Sequence, residues 1–252
     1  MDRHAWLLQA RDDENPIKTM QILSTARVAT SGDYRLDASA PAAIAVADGA
    51  RVRFFEDATA PAARTVSLGS LSSCEWYVLA TSPADWSLTS SQEGEGSRLS
   101  VRLLLAARAG GELKARVLAR VGGDRNRADV KALSLAGTGA RVNLDATAHV
   151  LPGARKAEGY VHQENVFLDE TGTVRGVPGL RVESDDVQAG HSARTQRLDD
   201  ARVFYLRSRG IPKDDARAMM LRDAAHALLA DLGETAREEL TGRALGFALG
   251  AA

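Results

Sequence analysis

The chain has 252 residues, long enough for one large domain or two small ones with a sizeable buried core. Its 32 basic and 33 acidic residues leave a net charge of −1, so no global field favours nucleic acid or an anionic membrane. Cys74 is the only cysteine, which excludes an internal disulfide framework and any four-cysteine zinc or iron-sulfur site within one chain, and a cytoplasmic setting is expected.

Met1 to Leu8 run at once into Arg11-Asp12-Asp13-Glu14, which breaks a signal-peptide core, so no secretory signal is expected. Residues 1–40 are irregular, with Pro16 and Gly32 as breakers and one possible strand over Ile22 to Ala29, and they read as an edge or cap. From residue 41 to 198 strand signals recur: Ala43 to Val46, Arg51 to Phe55, Thr65 to Leu68, Trp76 to Leu79, Leu99 to Leu103, Leu113 to Val117, Val130 to Leu135 and Val166 to Leu168. Several alternate apolar with charged residues, the period of a half-buried strand. Paired glycines such as Gly110-Gly111 and Gly122-Gly123 punctuate them. No long amphipathic helix interrupts, which disfavours a βαβ sheet, and the longest apolar run, Leu103 to Ala107, is far short of a membrane span of about 20 residues. Many short strands leave a sandwich, a barrel and a β-helix open, and no strict repeat decides among them.

Beyond Leu198 the period changes. Asp199 as N-cap, Gly210 as left-handed stop and Pro212 just beyond predict a helix of about three turns. A second helix is predicted from Pro212 to Asp231, with Met220, Leu221, Ala224, Ala225, Leu228 and Leu232 as its stripe, ending at Gly233. Thr235 and Glu238 predict a capping box for a third, whose stripe is Ala236, Leu240, Ala244 and Phe247. Residues 199–252 thus read as a small helical bundle serving as a docking arm. The junction before it, Asp185-Asp186-Val187-Gln188-Ala189-Gly190-His191-Ser192-Ala193-Arg194, reads as a hinge between β body and arm.

Asp-Asp-Val, a small residue before His191, then Asp199-Asp200 and Phe204-Tyr205-Leu206-Arg207-Ser208-Arg209-Gly210-Ile211 resemble the end of the core region in the SufB/SufD family of iron-sulfur cluster assembly proteins, SufD more than SufB. The resemblance is strong from Gly159 to Ala218. It extends in pattern through Val142 to Tyr160, Asn165 and the Pro178 to Glu183 run. It implies a mainly β fold, a right-handed parallel β-helix over 41–198, with residues 1–40 and the C-terminal α-helical bundle capping its two ends and with a shortened N-terminal region.

The resemblance also implies a function: a non-enzymatic SufD-like subunit that binds a SufC-type ABC ATPase through its C-terminal helices and pairs near His191 with a SufB-like chain or a second copy of itself. His191 would lie where a nascent, transient iron-sulfur cluster is held, with no stably bound cofactor; neutral imidazole can ligate iron. His162 and His149 are further candidate metal ligands, although their spacing matches no local metal motif. A SufB-type member carries a cysteine where this chain reads Val161-His162-Gln163-Glu164, so sulfur would come from another subunit. Phe204, Tyr205, Leu206, Arg207 and Arg209 are the ATPase-docking candidates, because a short helix with apolar residues on more than one face needs both a body and a partner. Two alternatives remain: a carbohydrate-active enzyme on a β-helix, for which Asp124, Asp129, Asp145 and Asp169 supply carboxylates without visible pairing, and a divergent SufD paralogue that docks the ATPase without handling clusters. Phosphate-loop, nucleophile-elbow and His-Glu-x-x-His signatures are missing, so ATP hydrolysis is expected in the partner.

Overall fold

A computed structural model describes residues 17–198 and 200–250. Two sheets, parallel throughout, face each other across a common core. The first contains β1 (Gln21–Ile22), β3 (Gly32–Leu36), β5 (Arg51–Ala58), β7 (Ser73–Thr81), β9 (Arg98–Ala107), β11 (Arg127–Ala136), β13 (Ala157–Phe167) and β16 (Val187–Arg197), in that order. The second contains β2 (Arg27–Val28), β4 (Ala43–Val46), β6 (Ala62–Leu68), β8 (Ala84–Gln92), β10 (Glu112–Val121) and β12 (Arg141–Val150). Two short strands, β14 (Thr173–Arg175) and β15 (Gly179–Val182), both pair with β12. Successive strands alternate between the sheets, so the chain winds as a parallel β-helix. This is the fold that the SufB/SufD resemblance implied.

Coils stack in register along the ladder Arg51, Ser73, Arg98, Arg127, Glu158 and Gln188. They also lengthen, from 22 residues between Arg51 and Ser73 to 31 between Arg127 and Glu158, so the solenoid widens toward its C-terminal end. Inward rows carry Phe54, Trp76, Val101, Val130 and Val161 on one wall and Trp86, Leu88, Val117 and Leu144 on the other. At the corner leading from the second sheet into the first, Gly49, Leu71, Gly96, Arg125 and Lys156 all take positive φ. Each donates its backbone N–H to the following coil, to the carbonyls of Ser70, Glu95, Asp124, Arg155 and Asp186, at 2.5–2.9 Å. A neighbouring position shows how tightly the coils stack: a Cβ on Gly123 would fall 2.0 Å from the Gly94 carbonyl oxygen.

Several expectations need correcting. Residues 21–36 already form the first coil rather than a separate cap. The stretch around His191 is not a hinge: it is the middle of β16, an 11-residue strand. The helices α1 (Asp200–Ser208), α2 (Lys213–Leu228) and α3 (Glu234–Leu249) do not close the end of the solenoid. Instead, Leu221, Ala225, Leu229, Leu240, Ala244 and Leu245 pack on the outer face of the first sheet, over Tyr77, Leu79, Leu104, Leu133, Leu135 and Val166. That outer face is apolar only along the C-terminal halves of its strands, and this is what confines the helices there.

Arg102 pairs with Asp129 and Asp231 at the edge of this seam, and Arg243 pairs with Asp57. Gly210 does stop α1 (φ +86°), with Ile211 N–H on the Leu206 carbonyl and Gly210 N–H on that of Arg207, a Schellman arrangement. The expected N-cap, Asp199, lies outside the described residues. The predicted capping box does not form: Gly233 is the N-cap of α3, without a side-chain cap, and Glu238 pairs instead with Arg222 and His226.

The first coils carry a buried ion pair, Glu56 with Arg64, inside the solenoid. Glu56 accepts hydrogen bonds from Arg64 Nε (2.8 Å), Trp76 Nε1 (3.1 Å) and Trp86 Nε1 (3.0 Å). Arg64 in turn donates to the carbonyls of Ala40 and Asp37 at 2.7 and 2.9 Å. Four strands from both sheets and one corner loop are thereby tied together. Replacing Glu56 with Ala strands a buried guanidinium and two indole donors, and the expected loss is about 3–5 kcal/mol. Urea denaturation checks this, and a midpoint equal to the parent's would show that the clamp contributes nothing.

Candidate functional site

The solenoid ends in an open edge. Among the described residues β16 pairs only with β13, leaving a row of backbone donors and acceptors along its outer side, and its side chains are largely exposed. His191 pairs in register with Val161, whose side chain lies in the core, so His191 occupies an inward position on the last coil. With no further coil above it among the described residues, the imidazole is exposed at the mouth of the solenoid.

The other two candidate histidines are elsewhere. His162 is on the outer face of the first sheet, its Nδ1 2.8 Å from Ser192 Oγ and its ring stacked with Tyr160. His149 is on the outer face of the second sheet, between Arg120 and Arg181 in register, with Nε2 3.0 Å from Glu183 Oε1. The hydrogen bond from His149 is the largest cause of the lowered Glu183 pKa, followed by the charge of Arg181. Three histidines thus face three surfaces, and among the described residues no cluster of three or more histidine, cysteine or acidic groups is gathered as a metal site. Cys74 is a buried member of the core, and burial pushes its thiol pKa up.

Beneath the open mouth the interior turns polar, a feature that the alternating pattern concealed. Gln163 and Asn165, each 3 % exposed, point inward on β13. Asn165 Nδ2 donates to Thr195 Oγ1 at 3.2 Å, while both amide atoms of Gln163, Asn165 Oδ1 and the buried Ser134 Oγ have no partner among the described residues. Ser134, Asn165 and Thr195 form one register column over three coils. Buried amides need partners, so this end of the core suits water or polar groups from a docked chain.

Helix α1 divides its side chains between a buried and an exposed side. Val203 is buried and Leu206 half-buried on the side packed against α2, whereas Phe204 is 70 % and Tyr205 54 % exposed. Arg209 lays its guanidinium 4.8 Å from the Tyr205 ring centroid, and Arg207 is exposed. Leu206 therefore anchors the helix to the body, and the free surface is Phe204, Tyr205, Arg207 and Arg209. Met219 on α2 is also exposed.

The carboxylates considered for glycoside chemistry are spread over separate surfaces. Asp124 bonds Arg155 at one corner, Asp129 bonds Arg102 beside the helices, Asp145 is exposed on the second sheet and Asp169 bonds Thr138 and Thr171 near the other corner.

The family model described as "SUF system FeS cluster assembly, SufBD core domain" matches residues 38–224. The chain belongs to the SufBD core family. It is 36 % identical over 91 residues to "Iron-sulfur cluster assembly protein SufD" of Escherichia coli (strain K12), covering 36 % of this chain and 21 % of that protein. It is 38 % identical over 69 residues to the protein of the same name from Bacillus subtilis (strain 168), covering 27 % and 16 % respectively. Identity to a SufBD family protein of Archaeoglobus fulgidus is 24 % over 118 residues, 47 % of this chain and 31 % of the relative. The matched stretches thus span a third or less of these relatives. No described helix is long and apolar enough to cross a membrane.

The Asp169 contacts give a pH prediction. Hydrogen bonds from the Thr138 and Thr171 hydroxyls hold its pKa at about 2. Because this is below the unfolded value of about 3.9, the stabilisation is complete above that value and is lost as pH falls through about 2. Thr138→Val is expected to raise the Asp169 pKa, as read by carboxyl NMR titration, and to move the onset of acid unfolding to higher pH. An unchanged titration would remove Thr138 as the cause.

Proposed function

We propose that this chain is a SufD-like, non-catalytic subunit of a cytoplasmic iron-sulfur cluster assembly complex. The observation that carries the reading is the match of the SufBD core domain across residues 38–224, which includes both the open β16 edge and the first helix after it. An unpaired edge of 11 residues is a template for another chain, and burying it against a SufB/SufD-type partner would satisfy its backbone groups. His191 then lies at the junction, where its imidazole would contact iron of a cluster under assembly, with sulfur ligands coming from the partner. The cluster is the cargo of this site rather than a resident cofactor.

An ABC-type ATPase would dock on α1. Phe204, Tyr205 and Arg209 have the composition of an interface centre: two aromatic rings and an arginine held in place by its contact with one of them. ATP hydrolysis belongs to that partner, and this chain serves to transmit its movement.

Anaerobic co-purification with the organism's SufC-type ATPase and SufB-type chain, followed by iron and sulfide analysis, tests the reading. A complex carrying iron is expected, and absence of any complex would overturn it. Phe204→Ala should weaken ATPase binding by at least about tenfold, an ordinary loss for an aromatic anchor, while leaving the urea midpoint in place because the ring is exposed. His191→Ala should retain the complex but lower its iron content. Equal iron in both would remove His191 from the assembly site and favour the paralogue that docks without handling clusters.

A further inference from the structure

On the outer face of the first sheet, away from the helices, an open groove of about 670 Å³ runs across β5, β7, β9 and β11. Its centre is one register column: Arg51 pairs with Ser73, and Ser73 with Arg98. Neighbouring strands are about 4.8 Å apart, so the two arginine Cα atoms stand roughly 10 Å apart with the serine between them. Both arginines are exposed, and neither side chain has an acidic partner among the described residues. The carboxylates that share the groove are engaged elsewhere: Glu75 with Arg53, Asp129 with Arg102. Arg127, next in the column, is held by Glu158 and lies over the Tyr160 ring.

This arrangement works against the free protein. Arg98 and Arg127 are directly opposed in register; Glu158 offsets the charge of Arg127, which leaves Arg98 as the uncompensated member. The groove wall adds a second cost. Leu71 is 72 % exposed and held at φ +57°, a left-handed conformation that a branched side chain adopts only at an energetic penalty. Its isobutyl group thereby stands as an apolar lip beside Ser73.

We infer that Arg51, Ser73 and Arg98 form a binding site for the phosphate group of a small soluble phosphomonoester, whose organic part rests on Leu71. Two guanidiniums, each able to make paired hydrogen bonds, need three or more acceptor oxygens between them, which a tetrahedral phosphate supplies and a single carboxylate does not. Ser73 sits between them in the same register column and lines the same groove. Since the chain is close to neutral overall, attraction of an anion here is a local property.

Calorimetric titration of the full chain with phenyl phosphate and with inorganic phosphate, at about 150 mM salt so that diffuse attraction is screened, tests the assignment. Phenyl phosphate is expected to bind more tightly than inorganic phosphate. Arg98→Ala and Arg51→Ala should each weaken both ligands by about tenfold or more. Leu71→Gly should erase the preference for the phenyl ester and leave inorganic phosphate unchanged, which separates an organic phosphate site from one for the free ion. Arg120→Ala, on the opposite sheet, is the charge control. No binding by the parent, equal binding by the Arg51→Ala/Arg98→Ala double variant, or equal losses with Arg120→Ala would each overturn the site. Because these side chains are exposed, unchanged circular dichroism is expected throughout. The outcome is independent of ATPase docking and cluster assembly.

Discussion

Every feature of this molecule depends on the hydrogen-bond ladder between successive coils. Parallel strands about 4.8 Å apart, in unbroken register, place each residue above its counterpart one coil earlier. A choice made at one position therefore becomes part of a column. Val161 places His191 at the mouth, Ser134 and Thr195 flank Asn165, and Ser73 separates two arginines. The same ladder cannot satisfy its own last member. Among the described residues, the narrow end carries strands of only two residues, while the wide end leaves the full length of β16 open.

The helices use the ladder differently. By covering only the apolar halves of the strands, they leave the charged halves, the basic groove among them, facing solvent. β16 ends at Arg197 and α1 begins at Asp200, so the open edge and the exposed aromatic helix are consecutive in the chain. Under the proposed function, a displacement of α1 by a docked ATPase would pull almost directly on the edge that meets the partner.

Much of the fold was legible, and the failures have physical causes. Alternating strands such as Leu113 to Val117 announce one buried face, and the observed β10 alternates throughout. The run Leu103 to Ala107 is too short for a membrane span, and as a strand apolar on both faces it signals cover on both sides, here from α2 and α3. β8, with Ser87, Thr89, Ser90 and Ser91, has too little apolar content to stand out as a strand in the sequence. The His191 stretch reads as a hinge because its residues are small and polar; at an open end, an edge strand carries that same composition. The division of α1 into an anchoring and a free side was expected from its composition, but which residue lies on which side needed the structure. The polar column beneath the mouth left no signal, since Gln163 and Asn165 occupy inward positions where a polar residue breaks the pattern.

The lengthening of the coils has a consequence for assembly. A stack of identical rungs can slip by one rung during folding, or join the top of one molecule to the bottom of another and grow into a fibre. Here a shift by one coil would set a 22-residue turn against a longer one, opening the core and breaking the inward rows. The narrow and wide ends likewise differ in outline, so head-to-tail stacking finds no matching surface. The taper thus gives the molecule a polarity that permits a closed pair through the wide ends while denying the open-ended polymer to which a uniform solenoid is prone.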